Sequence, residues 1–209
     1  METQRQSNAR ERILNAAYKL FSQRGIRAVG VDELIAASGV ANATFYRHFA
    51  SKDNLVLAFL DRREELWTLG TIVSQALARA ESPKAQLLAI FDIFDEWFHK
   101  PDFEGDPFIS ILLEMGPDHP LGRAALERLD TVRDMVRGLA IEARLREPDS
   151  FAHSWHILMK GAIITARMGD LVAAQRAKAM GSSLIERFDP DVTLDGNPST
   201  VREHAQSHQ

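Results

Sequence analysis

Apolar residues return every three to four positions along most of the chain, and no stretch of useful length alternates apolar with polar as a half-buried strand would. The pattern predicts an all-α protein. Ile13, Leu14, Ala17, Leu20 and Phe21 form one stripe, which gives a first helix from about Ala9 to Arg24, ended by Gly25. Val31, Leu34 and Ile35 mark a short second helix, Val31–Ala37. Ser38-Gly39-Val40 is then a tight turn, with Gly39 where a left-handed residue is needed. A third short helix, Asn42–Phe49, buries Phe45 and Phe49, one turn apart. Phe21, Leu34, Phe45 and Phe49 are the expected small core of this three-helix unit. Ser51 is a good N-cap for a fourth helix starting at Lys52, which Leu55, Phe59, Leu66 and Trp67 carry to about Ala78. The charged run Asp61-Arg62-Arg63-Glu64-Glu65 is expected to lie in solvent at a waist between two domains.

Ser82 and Pro83 open the next helix, Pro83–Lys100, as N-cap and first helical residue. Its large apolar groups cover more than one face, so it is expected at the centre of a bundle. Pro101–Pro107 is a loop, Phe108–Met115 a short apolar helix and Gly116–Pro120 a second loop. Leu121–Arg146 reads as a long amphipathic helix, and Ser150–Gly169 and Leu171–Phe188 as the last two. The chain therefore divides into a flexible arm (1–8), a helix-turn-helix unit (9–52), a helical body (53–188) and a disordered, Pro/Gly-containing tail (189–209).

The third helix carries chemistry on its outer face. Asn42, Ala43, Thr44, Tyr46, Arg47 and His48 lie at or near the surface once Phe45 and Phe49 turn inward. A helix lying in a major groove uses such side chains: Asn and Thr bond base edges, Arg bonds guanine or phosphate, and Tyr reaches a phosphate or a thymine methyl. A solvated face on a plain helical hairpin would show the same spacing. Lys52 opposes the dipole at the start of the fourth helix, a penalty that a DNA phosphate bound there would reverse. Charge is also uneven. Residues 1–52 hold eight Lys/Arg against four Asp/Glu, while the remainder holds 17 against 25, so a basic head sits on an acidic body despite a net charge of −4.

The run Phe45-Tyr46-Arg47-His48-Phe49-Ala50-Ser51-Lys52, after Gly39-Val40 and with Gly25 ahead of the first turn helix, resembles the DNA-binding domain of the tetracycline-repressor (TetR) family over about the first sixty residues. The rest of the chain matches that family only in its helical character. Three positions depart from the common pattern: Gly30 in place of a capping Thr or Ser, Ile35 in place of a small Ala, and Ala41 in place of the Ser that often caps the recognition helix. Asn42 is the candidate to take over that cap. The resemblance implies an N-terminal helix-turn-helix domain followed by a helical ligand-binding and dimerisation domain. It further implies a homodimer that holds a palindromic double-stranded DNA operator and is released from it, as a repressor, by a small, mostly apolar effector. Asn42, Ala43, Thr44, Tyr46, Arg47, His48 and Lys52 are the expected DNA contacts.

In that family the last two helices pair with their twins. Here they carry small residues, Gly161, Ala162, Ala166, Ala174, Ala177 and Gly181, which suit either that interface or packing within the chain. Aromatic and Met side chains concentrate in the body. Trp67, Phe91, Phe94, Trp97 and Phe108, with Leu112, Met115, Trp155, His156 and Met159, are the candidate ligand-binding residues; core filling uses the same residue types.

Other chemistry finds little support. The chain has no Cys, which excludes disulfides, zinc-thiolate sites and Cys nucleophiles. Glu96-Trp97-Phe98-His99 occurs once, where a di-iron bundle needs two such motifs. His153 and His156 share a helix face, but no third metal ligand can be placed beside them. No phosphate-binding Gly loop or nucleophile elbow is present, so a helical enzyme is the competing reading and neither cofactor nor metal is expected. The polar N-terminus and the short apolar run Gly161–Ala166 predict a cytoplasmic protein without membrane contact.

Overall fold

The computed structural model describes the backbone of residues 2–192 and the side chains from residue 8 onward. It is all helical over those residues, in the order α1 (Glu2–Arg24), α2 (Val31–Ser38), α3 (Asn42–His48), α4 (Lys52–Arg63), a π-helical segment (Glu64–Val73), α5 (Ser74–Arg79), α6 (Pro83–Phe98), α7 (Pro107–Met115), α8 (Pro120–Glu142), α9 (Pro148–Arg167) and α10 (Ala173–Phe188). The first helix reaches back to Glu2, where the sequence pattern placed an arm over residues 1–8. Glu2-Thr-Gln-Arg-Gln contains no Gly or Pro and mostly good helix formers, so nothing in it stops a helix already nucleated by the packed stripe. Of the tail expected over 189–209, residues 193–209 lie outside the described part, as does Met1.

The turn between α2 and α3 follows its residues. Gly39 takes φ 61°, a left-handed conformation, and its N–H bonds Ala36 O at 3.2 Å. Arg12 of α1 donates to Gly39 O at 3.1 Å, which fixes the turn against the first helix. Ser51 Oγ accepts from Asn54 N–H at 3.1 Å and caps α4, and Ser82 Oγ caps α6 in the same way. Ala41 occupies the N-cap position of α3 with no side-chain bond; Asn42 is the first helical residue and does not replace the cap.

The core beneath α2 and α3 extends beyond the expected four residues. Phe21, Leu34, Phe45 and Phe49 are all buried, but they join Leu55, Phe59 and Leu60 of α4, Phe108 and Ile111 of α7, and Leu121, Ala125 and Leu129 of α8. Two seven- or eight-residue helices expose too little apolar area to close a core alone. The division expected after Lys52 therefore does not separate two cores; α4, α7 and half of α8 complete the head. A second core surrounds α6 and takes in the far half of α8 together with α9 and α10.

Between the cores the backbone continues from α4 through the π-helical segment into α5 without a break, the junction residues Glu64 and Ser74 both staying right-handed helical. Gly70 permits the wider turn, since a Cβ there would come within 2.9 Å of Glu65 O. Thr71 Oγ1 donates to Leu66 O, five residues back, at 2.9 Å. Periodicity read this stretch as ordinary helix, because an i→i−5 register leaves no distinct hydrophobic repeat over ten residues. The charged run is a solvated waist only in part, with Asp61 and Glu65 exposed. Arg63 is only 7% exposed, and Asp61 and Glu64 turn toward Arg128 of α8.

In the α9–α10 hairpin the small residues serve packing within the chain. Ala162, Ala166, Ala174, Ala177 and Gly181 are buried, and of the stripe only Gly161 is exposed.

Candidate nucleic-acid interface and interior cleft

The α3 side chains stand largely as their spacing requires. Phe45 is fully buried and Phe49, the C-cap, is 4% exposed, which turns Asn42, Ala43, Tyr46 and Arg47 outward and leaves Thr44 at the margin. Tyr46 is 49% exposed, resting edge-on against Phe45 with ring centroids 5.4 Å apart. An exposed phenol held by a buried ring is pre-positioned for a partner. Lys52 sits in the first turn of α4, half-buried, on the same end of the head.

His48 differs from the expectation that it is an outward, phosphate-binding residue. It is half-buried, and its Nε2 is enclosed with no hydrogen-bond partner among the described residues. Burial lowers its pKa first, and the neighbouring Arg47 and Arg10 lower it further, so the ring is neutral near pH 7. It adds no positive charge toward a phosphate. The cations on this face are Arg47 and Lys52; Arg10, 5.5 Å from the centre of the Phe49 ring, lies beside them, brought there from α1 by packing that no local pattern marks.

Charge-assisted contacts tie the helices of the head to one another. Glu114 of α7 accepts from the backbone N–H groups of Ile26 (2.9 Å) and Arg27 (2.6 Å) in the α1–α2 loop. Arg62 bonds Glu11 of α1 at 2.6 Å, and Arg128 of α8 bonds Asp61. Neither Glu114 nor Arg128 could be singled out from the chain, since their partners lie 87 to 88 and 67 residues away.

The candidate ligand residues separate into groups. Trp67 and Trp97, with centroids 4.5 Å apart, line an open cleft of about 350 Å³ between the π-helical segment, α1 and the α6–α7 loop. Trp67, Phe94, Phe108, His156 and Met159 line a second, much smaller cavity of about 20 Å³, room for little more than a water. Phe91 and Trp155 face neither cavity; they close over Gly181 of α10, where a Cβ would meet Trp155 at 2.9 Å and Phe91 at 3.1 Å. Leu112 and Met115 are partly buried against the head core. These four fill space between helices, a role that residue type alone does not distinguish from lining a cavity.

The small cavity is ionisable as well as apolar. Asp106, Lys160 and His156 all face it. Burial raises the Asp106 pKa against the pull of Arg63, and its carboxylate caps α7 by accepting from Phe108 N–H at 2.8 Å. Burial lowers Lys160, and burial with repulsion from Lys160 and Arg133 takes His156 down to about 4. His153, its neighbour on the helix, is exposed. No cluster of three or more metal-ligating side chains occurs among the described residues, and no described helix is long and apolar enough to cross a membrane.

Comparison with known proteins follows the same division. Residues 13–59, the helix-turn-helix head and the start of α4, match the family described as bacterial regulatory proteins, tetR family. A helix-turn-helix transcriptional regulator of Lactococcus lactis subsp. lactis is 27% identical over 130 residues, covering 62% of this chain and 66% of that protein. The transcriptional activator FasR of Mycolicibacterium smegmatis is 35% identical over 96 residues, covering 46% of this chain and 42% of its own length. The chain thus spans less than two thirds of either relative. In three dimensions the match is longer: the crystal structure of a TetR-family regulator from Streptomyces coelicolor superposes with a TM-score of 0.79 at 26% identity, covering 87% of this chain and 96% of that one. Residues 13–59 thus carry the helix-turn-helix DNA-binding head of the TetR family of bacterial transcriptional regulators, and the chain shares the fold of a solved TetR-family regulator over 87% of its length.

Proposed function

We propose that the protein is a homodimeric repressor that holds a near-palindromic operator through two α3 helices and leaves it when a small effector occupies the body. The observation that carries the reading is α3 itself. A buried Phe45–Phe49 seam presents Asn42, Thr44, Tyr46 and Arg47 together on an outer face, with Lys52 at the start of α4 beside it. Base-edge chemistry and phosphate chemistry are adjacent there, as major-groove reading needs.

The second copy is supported by an apolar face that the single chain leaves uncovered. Ile157, Ile164 and Met168 follow one another at spacings of seven and four along α9 and are 72%, 47% and 82% exposed; Met180 of α10 is 59% exposed. Exposed apolar side chains in a row favour burial against a like face. This is a different set from the small residues, which are consumed inside the hairpin. A two-fold pair places two recognition helices in successive major grooves, about one helical turn apart. Effector release then requires unequal affinity of the effector for the DNA-fitting and non-fitting forms, and the π-helical segment, tied to the head through α4 and to the body through α8, is the natural lever.

Selection of bound DNA from a randomised duplex library by the purified protein tests the reading. Enrichment of an inverted repeat with half-sites about one turn apart supports it. Failure to enrich any sequence at low salt, before and after refolding from denaturant to strip a retained ligand, refutes it. The sign of regulation follows from run-off transcription on a template bearing the selected site: transcript should fall on adding the protein.

A further inference from the structure

The open cleft beside α1 has a buried, incompletely partnered cation in its wall. Arg63, at the last position of α4, is 7% exposed, and its Nε is enclosed with no hydrogen-bond partner among the described residues. Among the described residues no carboxylate lies within ion-pair distance of it. Its one hydrogen bond among those residues is donated from Nη1 to the hydroxyl of Tyr18 on α1, a neutral group. The guanidinium otherwise rests against aromatic faces, 4.8 Å from the ring centre of Trp67 and 5.4 Å from that of Trp97. Aromatic contact compensates part of the desolvation of a cation but leaves its directional N–H donors unused.

The nearby acids do not fill the vacancy. Asp106 is close enough to feel the charge of Arg63, but its carboxylate is engaged at the N-terminus of α7. Glu104 is paired with Arg167 at 2.9 Å. Asp102 and Lys100, also on the rim of the cleft, are exposed, one of each sign. A buried arginine with neither counter-ion nor full hydrogen bonding is costly to maintain in a folded chain, and such a group recurs where an anion is to be received. The guanidinium fork matches a carboxylate, and the two tryptophans offer apolar faces to whatever the carboxylate is attached to.

We infer that the effector is a small organic carboxylate with a flat apolar body, its carboxylate paired to Arg63 and its body against Trp67 and Trp97 in the cleft beside α1. The inference rests on the regulator reading for its consequence, since Arg63 also bonds Tyr18 of the DNA-binding head; a ligand on this guanidinium acts on the joint between head and body. The cleft, at about 350 Å³, is at the small end of ligand sites.

The test titrates naphthalene-2-carboxylate and its uncharged amide, naphthalene-2-carboxamide, into the protein, read by tryptophan fluorescence, with benzoate and benzamide as a smaller pair. Wild type should bind each acid at least about tenfold more tightly than its amide, the value of one charge-assisted contact. Arg63→Met should bind acid and amide alike. Tyr18→Phe keeps the guanidinium and frees Nη1, so it should tighten acid binding about threefold or more and leave the amide unmoved; this arm decides the matter if Arg63→Met does not fold. Equal affinity of acid and amide for wild type, a preference that survives Arg63→Met, or no effect of Tyr18→Phe overturns the assignment. So does selective acid binding that leaves affinity for the selected operator unchanged. If DNA selection yields no operator, the regulator reading fails by itself, while the acid–amide comparison still reports on Arg63.

Discussion

Removing the Glu114 carboxylate should loosen α7 from the α1–α2 loop of the head. Glu114 accepts from Ile26 N–H at 2.9 Å and Arg27 N–H at 2.6 Å, bridging α7 to the α1–α2 loop. Hydrogen bonds to a charged group contribute about 1.5–3 kcal/mol each. Arg27 is exposed, so water replaces the lost acceptor there and that bond counts at the low end; Ile26 is 3% exposed, so its N–H loses its acceptor in a poorly solvated place. Glu114→Ala should therefore cost about 2–4 kcal/mol, which at this chain length is a fall in Tm of about 5–12 °C. Glu114→Gln, which keeps one acceptor oxygen, should fall between. The assay is thermal unfolding by circular dichroism at one fixed protein concentration, because the proposed dimerisation would make Tm concentration-dependent. Amide hydrogen exchange accompanies it, and Ile26 should lose protection first. A Tm within about 2 °C of wild type, with Ile26 exchange unchanged, would refute the latch.

Lys52→Ala should weaken binding to specific and random DNA alike and reduce the salt slope by about one; an unchanged slope in a filter-binding series removes Lys52 from the phosphate contacts. Tyr46→Ala should cost about 1–3 kcal/mol in operator affinity with little change in Tm, since the ring is half-exposed; a large drop in Tm would instead make Tyr46 a core residue. His156 has a folded-state pKa of about 4 against 6.5 for the free side chain, so the unfolded chain binds more protons between those values. Its contribution to stability is complete above about pH 6.5 and is lost as pH falls toward 4, on the order of 2 kcal/mol by pH 5. His156→Gln should flatten that part of the Tm–pH profile, and an unaltered profile would show that another group carries it. Replacing Ile157 and Met168 together with Lys should give a monomer in sedimentation velocity, with helicity retained; a persisting dimer would place the interface elsewhere.

Much of the head was legible because its determinants are local. Gly39, the Phe45–Phe49 spacing and Ser51 each fix a conformation within a few residues of themselves, and the outward positions of Asn42, Tyr46 and Arg47 follow once the seam is known. The sequence by itself also determined the all-helical class, most helix boundaries to within a few residues, the centrality of α6, and the resemblance that names the family. The tertiary structure decided what depends on distant partners. Glu114 and Arg128 became fasteners within the head only when residues 67 to 88 positions away came alongside. Arg63 reads as surface charge in Asp-Arg-Arg-Glu-Glu and becomes a buried cation because Tyr18 of α1 and Trp97 of α6, far away along the chain, close over it together with Trp67. The small residues of α9 and α10 could serve an interface or a hairpin equally well, and burial assigned them to the hairpin. Periodicity reports which side of a helix is apolar; which neighbour covers that side, and whether a charge is enclosed with it, is set by packing across the whole chain.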